Sequence, residues 1–170
     1  MKSVYFILLL MSISLFSSAQ KMTDTTSSFI IKGKVLEEKT IELSKLSSYQ
    51  IHALFDVNTS CSPKKEERIK QAKGILLKDI LDSVKFDYDK GAHLNEFYFV
   101  FIAADGYKLV YSYNEIFNTQ TGLNLYLVTE LDNNSILSLP NSLLILTTSD
   151  IKGGRRNLKW LKEIRVCRAE

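Results

Sequence analysis

Residues 97–119, FYFVFIAADGYKLVYSYNEIFNT, set the pattern around which the rest of the chain is read. Positions 97–104 are uncharged and almost wholly apolar, the signature of a strand covered on both faces. Asp105-Gly106 then separates this run from Tyr107, Leu109 and Tyr111, which alternate with Lys108 and Val110. An Asp-Gly pair between two apolar runs predicts a hairpin with a tight primed turn, because both residues tolerate positive φ. Ser112 or Tyr113 opens a short helix through Phe117.

Upstream, residues 29–36 predict a strand and residues 40–43 a second short one. Ser44 is placed to cap a single helical turn, and residues 49–57 predict another strand. Positions 58–67 form a polar loop, and 68–73 a short strand. Ile75, Leu76, Leu77, Ile80, Leu81 and Val84 recur at helical spacing with Lys78, Asp79 and Asp82 opposite, predicting the best helix of the chain over 75–84. Downstream, 123–131 and 143–148 predict strands, 150–156 a loop, and 158–166 a turn followed by an edge strand. Strands outnumber helices and follow one another in hairpin-like succession. The fold class is therefore α+β, mainly β with mixed sheets and a few short helices.

Met1-Lys2, an apolar run to Phe16 and the ending Ser17-Ser18-Ala19 read as a secretory signal peptide over residues 1–19, cut after Ala19. Export to the periplasm or the cell exterior follows, with no permanent membrane span after cleavage. Residues 20–28 read as a polar, disordered leader, and 29–168 as one domain, a length that can bury a sizeable core. The formal net charge of +3 is spread along the chain, which excludes a nucleic-acid-binding face. The oligomeric state leaves no trace in the sequence.

No nucleophile elbow, metalloprotease helix or glycine-rich phosphate loop is present. The chain has two histidines, and His52 falls inside a predicted strand as a packing residue, so an all-protein zinc site is not supported. Two segments carry candidate chemistry. Cys61, in the polar loop, has the chemistry of a thiolate ligand, a nucleophile or half of a disulfide with Cys167. The run from Lys152 to Trp160 holds Gly153 and Gly154, which let backbone N–H groups approach an anion. Arg155, Arg156 and Lys159 follow as anion donors, arginine having the fork that matches phosphate oxygens. By residue type alone the same run also describes a solvated basic turn.

The order of Gly33-Lys34-Val35, the Cys61 loop, the run from Lys73-Gly74-Ile75 to Leu81, Ala104-Asp105-Gly106-Tyr107 and the stretch from Gly154 to Ile164 resembles the oxidoreductase molybdopterin-binding domain of the sulfite oxidase type. It is similar in particular to the small, exported, single-domain bacterial members. That resemblance implies a sulfite oxidase-like fold and a molybdenum–molybdopterin cofactor with Cys61 as metal ligand. It also implies a phosphate site at Gly153, Gly154, Arg155, Arg156 and Lys159, and a redox partner protein. A second reading stays open. Cys61 is followed by Ser62-Pro63-Lys64-Lys65, and no arginine lies between Arg68 and Arg155. These features also describe a degenerate member, a cofactor-free binding or interaction module that retains the fold and presents Tyr107, Tyr111, Tyr113 and Tyr126 for packing or recognition.

Overall fold

The computed structural model describes residues 27–62, 64–138 and 143–170. The expected signal segment lies outside them. Two five-stranded sheets carry the fold. The first is built from β1 (Ser28–Gly33), β2 (Lys39–Glu42), β5 (Phe97–Ala103), β6 (Lys108–Ser112) and β10 (Leu161–Arg168), in the order β2-β1-β10-β5-β6. The second holds β3 (His52–Asn58), β4 (Arg68–Leu76), β7 (Leu125–Leu131), β8 (Asn134–Ser135) and β9 (Ile145–Thr147). Its order is β3-β4-β7-β8, with β9 also pairing β7. Two short helices, α1 (Leu77–Leu81) and α2 (Tyr113–Phe117), follow β4 and β6. The α+β, mainly β class read from the sequence is the one observed. No helix among the described residues is long and apolar enough to cross a membrane.

The main core lies between the sheets. Phe29, Ile31, Phe99, Phe101, Tyr111, Ile164 and Val166 from the first sheet meet Ile75, Leu125, Leu127 and Ile145 from the second, with Leu77, Ile80 and Leu81 of α1 and Ile116 of α2. A smaller core sits on the other face of the second sheet, formed by Leu54, Ala72, Leu76, Tyr126, Val128, Leu144 and Leu146 among others. The second sheet is thus apolar on both faces at β7 and β9. Leu125 and Leu127 enter one core, and Tyr126 and Val128 the other.

This division corrects two expectations. The strand buried on both faces is β7, not β5. In β5, Phe97, Phe99, Phe101 and Ala103 are buried, while Tyr98, Val100 and Ile102 are only half-buried. The helix expected over 75–84 shrinks to α1, because β4 runs on to Leu76 and sends Ile75 into the main core and Leu76 into the smaller one. Three adjacent apolar residues fit a two-sided strand as well as a helix face, and the presence of a second core decides for the strand.

The expected edge strand near the C-terminus is instead the centre of the first sheet. β10 pairs β1 in parallel and β5 antiparallel. Its charged residues Glu163 and Arg165 lie on the outward face of this central strand. Glu163, only 8% exposed, is held by Lys32 at 3.0 Å and Arg165 at 2.7 Å. Burial alone would raise the Glu163 carboxyl, but hydrogen bonds from Lys32 and Arg165 outweigh it and hold it below the ordinary range.

The hairpin turn differs in detail from the primed type. The Gly106 N–H donates to the Ala103 carbonyl at 3.1 Å, and Gly106 takes φ +88° while Asp105 keeps a negative φ. This is a three-residue loop with glycine in the left-handed position. Asp105 contributes through its side chain, Oδ1 accepting the Tyr107 N–H at 2.9 Å. At the far end of β6 the expected helix start is present as a capping box. Ser112 Oγ accepts the Glu115 N–H at 3.1 Å, and Glu115 Oε2 accepts the Ser112 N–H at 2.8 Å.

The Glu163 cluster gives a signed prediction. A carboxyl whose folded pKa is depressed stabilises the fold above its unfolded pKa, and that stability is lost as pH falls through the folded value. Glu163→Gln is expected to lower stability at pH 7 by about 1 kcal/mol, or about 3 °C in Tm. Thermal melts from pH 7 down to about pH 3 should show the two proteins converging in acid, below the ordinary glutamate range of about pH 4. A difference that persists undiminished at the acid end would show that the charge is not what Glu163 contributes.

Candidate functional site

Three segments meet at the open edge of the smaller core. The first is the loop between β3 and β4, which carries Cys61. Its base is tied to itself: the Thr59 N–H donates to the Glu67 carbonyl at 2.8 Å, and the Glu67 N–H to Ser60 Oγ at 2.9 Å. The Ser60 N–H donates to Asn58 Oδ1 at 2.9 Å. Ser60 is buried by these contacts, and Cys61, just beyond, is exposed.

The second segment is the 3-10 turn Gly153–Arg156 with Asn157, Lys159 and Trp160. It is anchored to the second sheet through Leu158, whose N–H and carbonyl both bond to Ile145. The Gly154 N–H donates to the Ser60 carbonyl at 3.2 Å. The third segment is the β5–β6 turn. The Tyr107 hydroxyl donates to the Arg155 carbonyl at 2.8 Å, and the Ala104 N–H to the Trp160 carbonyl at 2.9 Å. Trp160 holds φ +56°, a left-handed conformation that is rare for a bulky residue and costs about 1–2 kcal/mol.

Between these segments lies a groove of about 610 Å³. Ile69, Leu131, Leu144 and Leu146 give it an apolar floor, and Tyr107 and Trp160 are aromatic lining residues. Thr59, Cys61, Gly154, Arg155, Asn157 and Lys159 form its polar side, with Glu67 and Asp105 as acidic lining residues. Arg155 and Lys159 are exposed. The Glu67 carboxyl is held below its usual range first by a hydrogen bond from Lys65, with the charge of Lys159 as a smaller contribution. Asn157 Oδ1 is buried and has no hydrogen-bond partner among the described residues.

The structure therefore brings together Cys61, Gly154, Arg155 and Lys159. It sends Arg156 elsewhere. That guanidinium lies over the Tyr111 ring at 4.7 Å and pairs with Asp150 at 3.2 Å and Glu115 at 3.3 Å. Tyr111 is fully buried, and burial pushes its hydroxyl up to about 12 despite the nearby guanidinium. Gly153 and Gly154 sit where two protein segments approach closely. A Cβ on Gly153 would strike the Asn58 carbonyl, and one on Gly154 would strike the Thr59 carbonyl and lie 2.6 Å from Cys61 Sγ. The glycines let two protein segments close on each other and so shape the thiol's surroundings.

Cys61 and Cys167 are both free thiols, which removes the disulfide reading. No group of three or more His, Cys, Asp or Glu side chains is placed to hold a metal ion among the described residues. The sequence reading did not single out Asn157 or Trp160 as site residues, and it offered Tyr107 only for packing or recognition in the cofactor-free alternative. Asn157 and Trp160 lay inside the basic run already marked, and Tyr107 followed the Asp-Gly turn, but nothing in residue type alone joined the turn to the loop.

No family model matches the chain, and no curated protein matches it. Among solved structures the chain is similar to the sulfane dehydrogenase SoxCD from Paracoccus pantotrophus, with a TM-score of 0.59 and 9% sequence identity. The match covers 84% of this chain and 38% of that one, so the chain spans well under half of the enzyme chain it resembles. At this identity the likeness is one of fold.

The Gly154 contact yields a second prediction. Gly154→Ala puts a methyl group against the Thr59 carbonyl and Cys61 Sγ, forcing the two loops apart at a cost of about 1–3 kcal/mol. Denaturant unfolding should register that loss. Alkylation of Cys61 by a bulky maleimide, scored by mass spectrometry at fixed pH, should proceed faster than in the wild type. An unchanged alkylation rate would mean that the turn does not cover the thiol.

Proposed function

We propose that this chain is a molybdopterin-dependent oxidoreductase domain of the cell envelope, its cofactor held in the groove between the Cys61 loop and the Gly153–Arg156 turn. The observation that carries this reading is the convergence of one exposed thiol with Arg155 and Lys159 in a single groove. A fold shared with a sulfane dehydrogenase adds to it.

The residues present fit such a group. A thiolate is the ligand type that soft metal centres take, and Cys61 sits at the polar side of the groove with no disulfide partner. Arg155 and Lys159 offer charge-assisted donors to a phosphate. Asn157 Oδ1, buried and unpaired, is an acceptor suited to the ring N–H groups of a pterin. Gly154 keeps the side of Cys61 Sγ free of a methyl group that would crowd it. When bound, the molybdenum–pterin group supplies two-electron redox chemistry, which the protein binds, orients and shields.

In this reading Cys61 would hold the metal of the cofactor, and it is carried by the β3–β4 loop, whose base is braced by Thr59, Ser60 and Glu67. Arg155 is presented by a turn whose backbone is held by Tyr107, and Lys159 divides its charge between the ligand and Glu67. The apolar floor of Leu131, Leu144 and Leu146 excludes water from one side of the ligand. On this reading the N-terminal segment would export the domain to the envelope, where a redox partner protein would be its electron acceptor.

Protein purified from its native host with the cofactor pathway active is expected to contain near-stoichiometric molybdenum by elemental analysis, and pterin by fluorescence after oxidative release. Cys61→Ala should lose the metal, and Arg155→Met should lower the pterin retained through gel filtration. Absence of both metal and pterin from the natively purified wild type would sink the enzyme reading in favour of a cofactor-free domain.

A further inference from the structure

Arg155 and Arg156 are adjacent, alike in chemistry and opposite in placement. Arg155 lines the groove and is exposed. Arg156 does not line it. Its guanidinium is turned inward over Tyr111, its Nε pairs with Asp150, its Nη2 with Glu115, and its Nη1 is buried. Each of these partners belongs to a different part of the fold. Tyr111 is in β6 and packs edge-on against Phe101 in the main core. Glu115 is the third residue of α2 and the partner of Ser112 in its capping box, already bonded to the Ser112 N–H and hydroxyl. Asp150 precedes the turn itself.

We propose that Arg156 is a positioning residue, a brace that ties the Gly153–Arg156 turn to β6 and α2 and so sets where Arg155 stands relative to Cys61. The brace acts together with two backbone ties, Tyr107 hydroxyl to the Arg155 carbonyl and Gly154 N–H to the Ser60 carbonyl. With Arg156 in place the turn is fixed on three sides, leaving the Arg155 side chain directed to the groove. The functional weight of this brace rests on the reading of the groove as an anion site, whereas the brace itself does not.

Two roles for Arg156 make opposite predictions when its acceptors are removed. A positioning residue loses its hold when Glu115 is neutralised, and the site degrades. A direct anion ligand is released by the same change, and the site strengthens. Glu115→Gln suits the purpose because glutamine preserves the capping box of α2.

Trp160 is the single tryptophan of the chain and lines the same groove as Arg155, so its fluorescence reports the site directly. The experiment measures quenching of Trp160 by neutral acrylamide and by anionic iodide in the mature full-length protein. In the wild type, Arg155 and Lys159 should make iodide the better quencher after correction for intrinsic efficiency, measured on a free tryptophan amide. In Glu115→Gln, acrylamide quenching should rise and the excess of iodide should be lost. Arg156→Met should do the same, and so should Arg156→Lys, since one ammonium group cannot reproduce the fork that reaches Asp150 and Glu115 together.

A larger iodide excess in Glu115→Gln would overturn the proposal in favour of direct anion binding by Arg156. Unchanged quenching by both agents would overturn it as well, and so would wild-type behaviour in Arg156→Lys. Inorganic phosphate added to the wild type separates the two readings. Failure of phosphate to shield Trp160 from iodide counts against the anion groove, while the acrylamide comparison still judges the brace.

Discussion

Burial of the second sheet on both faces is the constraint from which the rest of the architecture follows. Every side chain from Leu125 to Val128 is buried, and Leu144 to Leu146 are buried beside them. A strand with no solvent face must find apolar partners on two sides. One side is met by the first sheet and its aromatic residues, giving the main core. The other is met by Leu54, Ala72 and Ile136 in a smaller core. That second core ends at Ile69, Leu131, Leu144 and Leu146, which also floor the groove. The groove is therefore the open margin of a core, apolar on one side by necessity. Its polar side is supplied by loops laid across that margin.

Those loops are held by hydrogen bonds between groups far apart in sequence, not by regular structure. Gly154 joins the Cys61 loop, Tyr107 joins the Arg155 turn to the hairpin, and Ala104 joins the hairpin to Trp160. Each tie satisfies a loop N–H, carbonyl or hydroxyl that would otherwise depend on water. Exposed thiol and exposed cations are thus mounted on a frame that is itself well bonded, the arrangement expected where side chains must keep fixed separations.

Much of this was legible in the sequence, and the failures share a cause. The central hairpin, the α2 helix start at Ser112 and the mainly β composition were readable because each is written in local signals: alternation, a turn pair, a capping residue. The place of β10 was not. Its Lys162, Glu163 and Arg165 look like the surface of an edge strand, and only the sheet order reveals that they ride on the outward face of a central one. The truncation of the helix after β4 has the same origin, since Ile75 and Leu76 reveal their alternation only once two cores exist to receive them. Local pattern specifies which positions are apolar, while the number of apolar surroundings available is a property of the assembled fold.

The same limit appears at the site, at the scale of one residue. The basic run Arg155-Arg156 could be marked as a candidate anion site from composition, but a run of like residues does not say which member faces the groove. A 3-10 turn rotates successive side chains by about 120°, so neighbours must point to different surroundings. Which one turns inward is decided by what waits there. Here a buried tyrosine face, an aspartate and a capping glutamate together make a better destination for a guanidinium than a shallow groove already furnished with Lys159. The charge of Arg156 is spent on Asp150 and Glu115, and that of Arg155 is kept. Of two adjacent identical residues, one is therefore paired into the scaffold and the other lines the groove, and the carboxylates flanking Arg156 are what divide them.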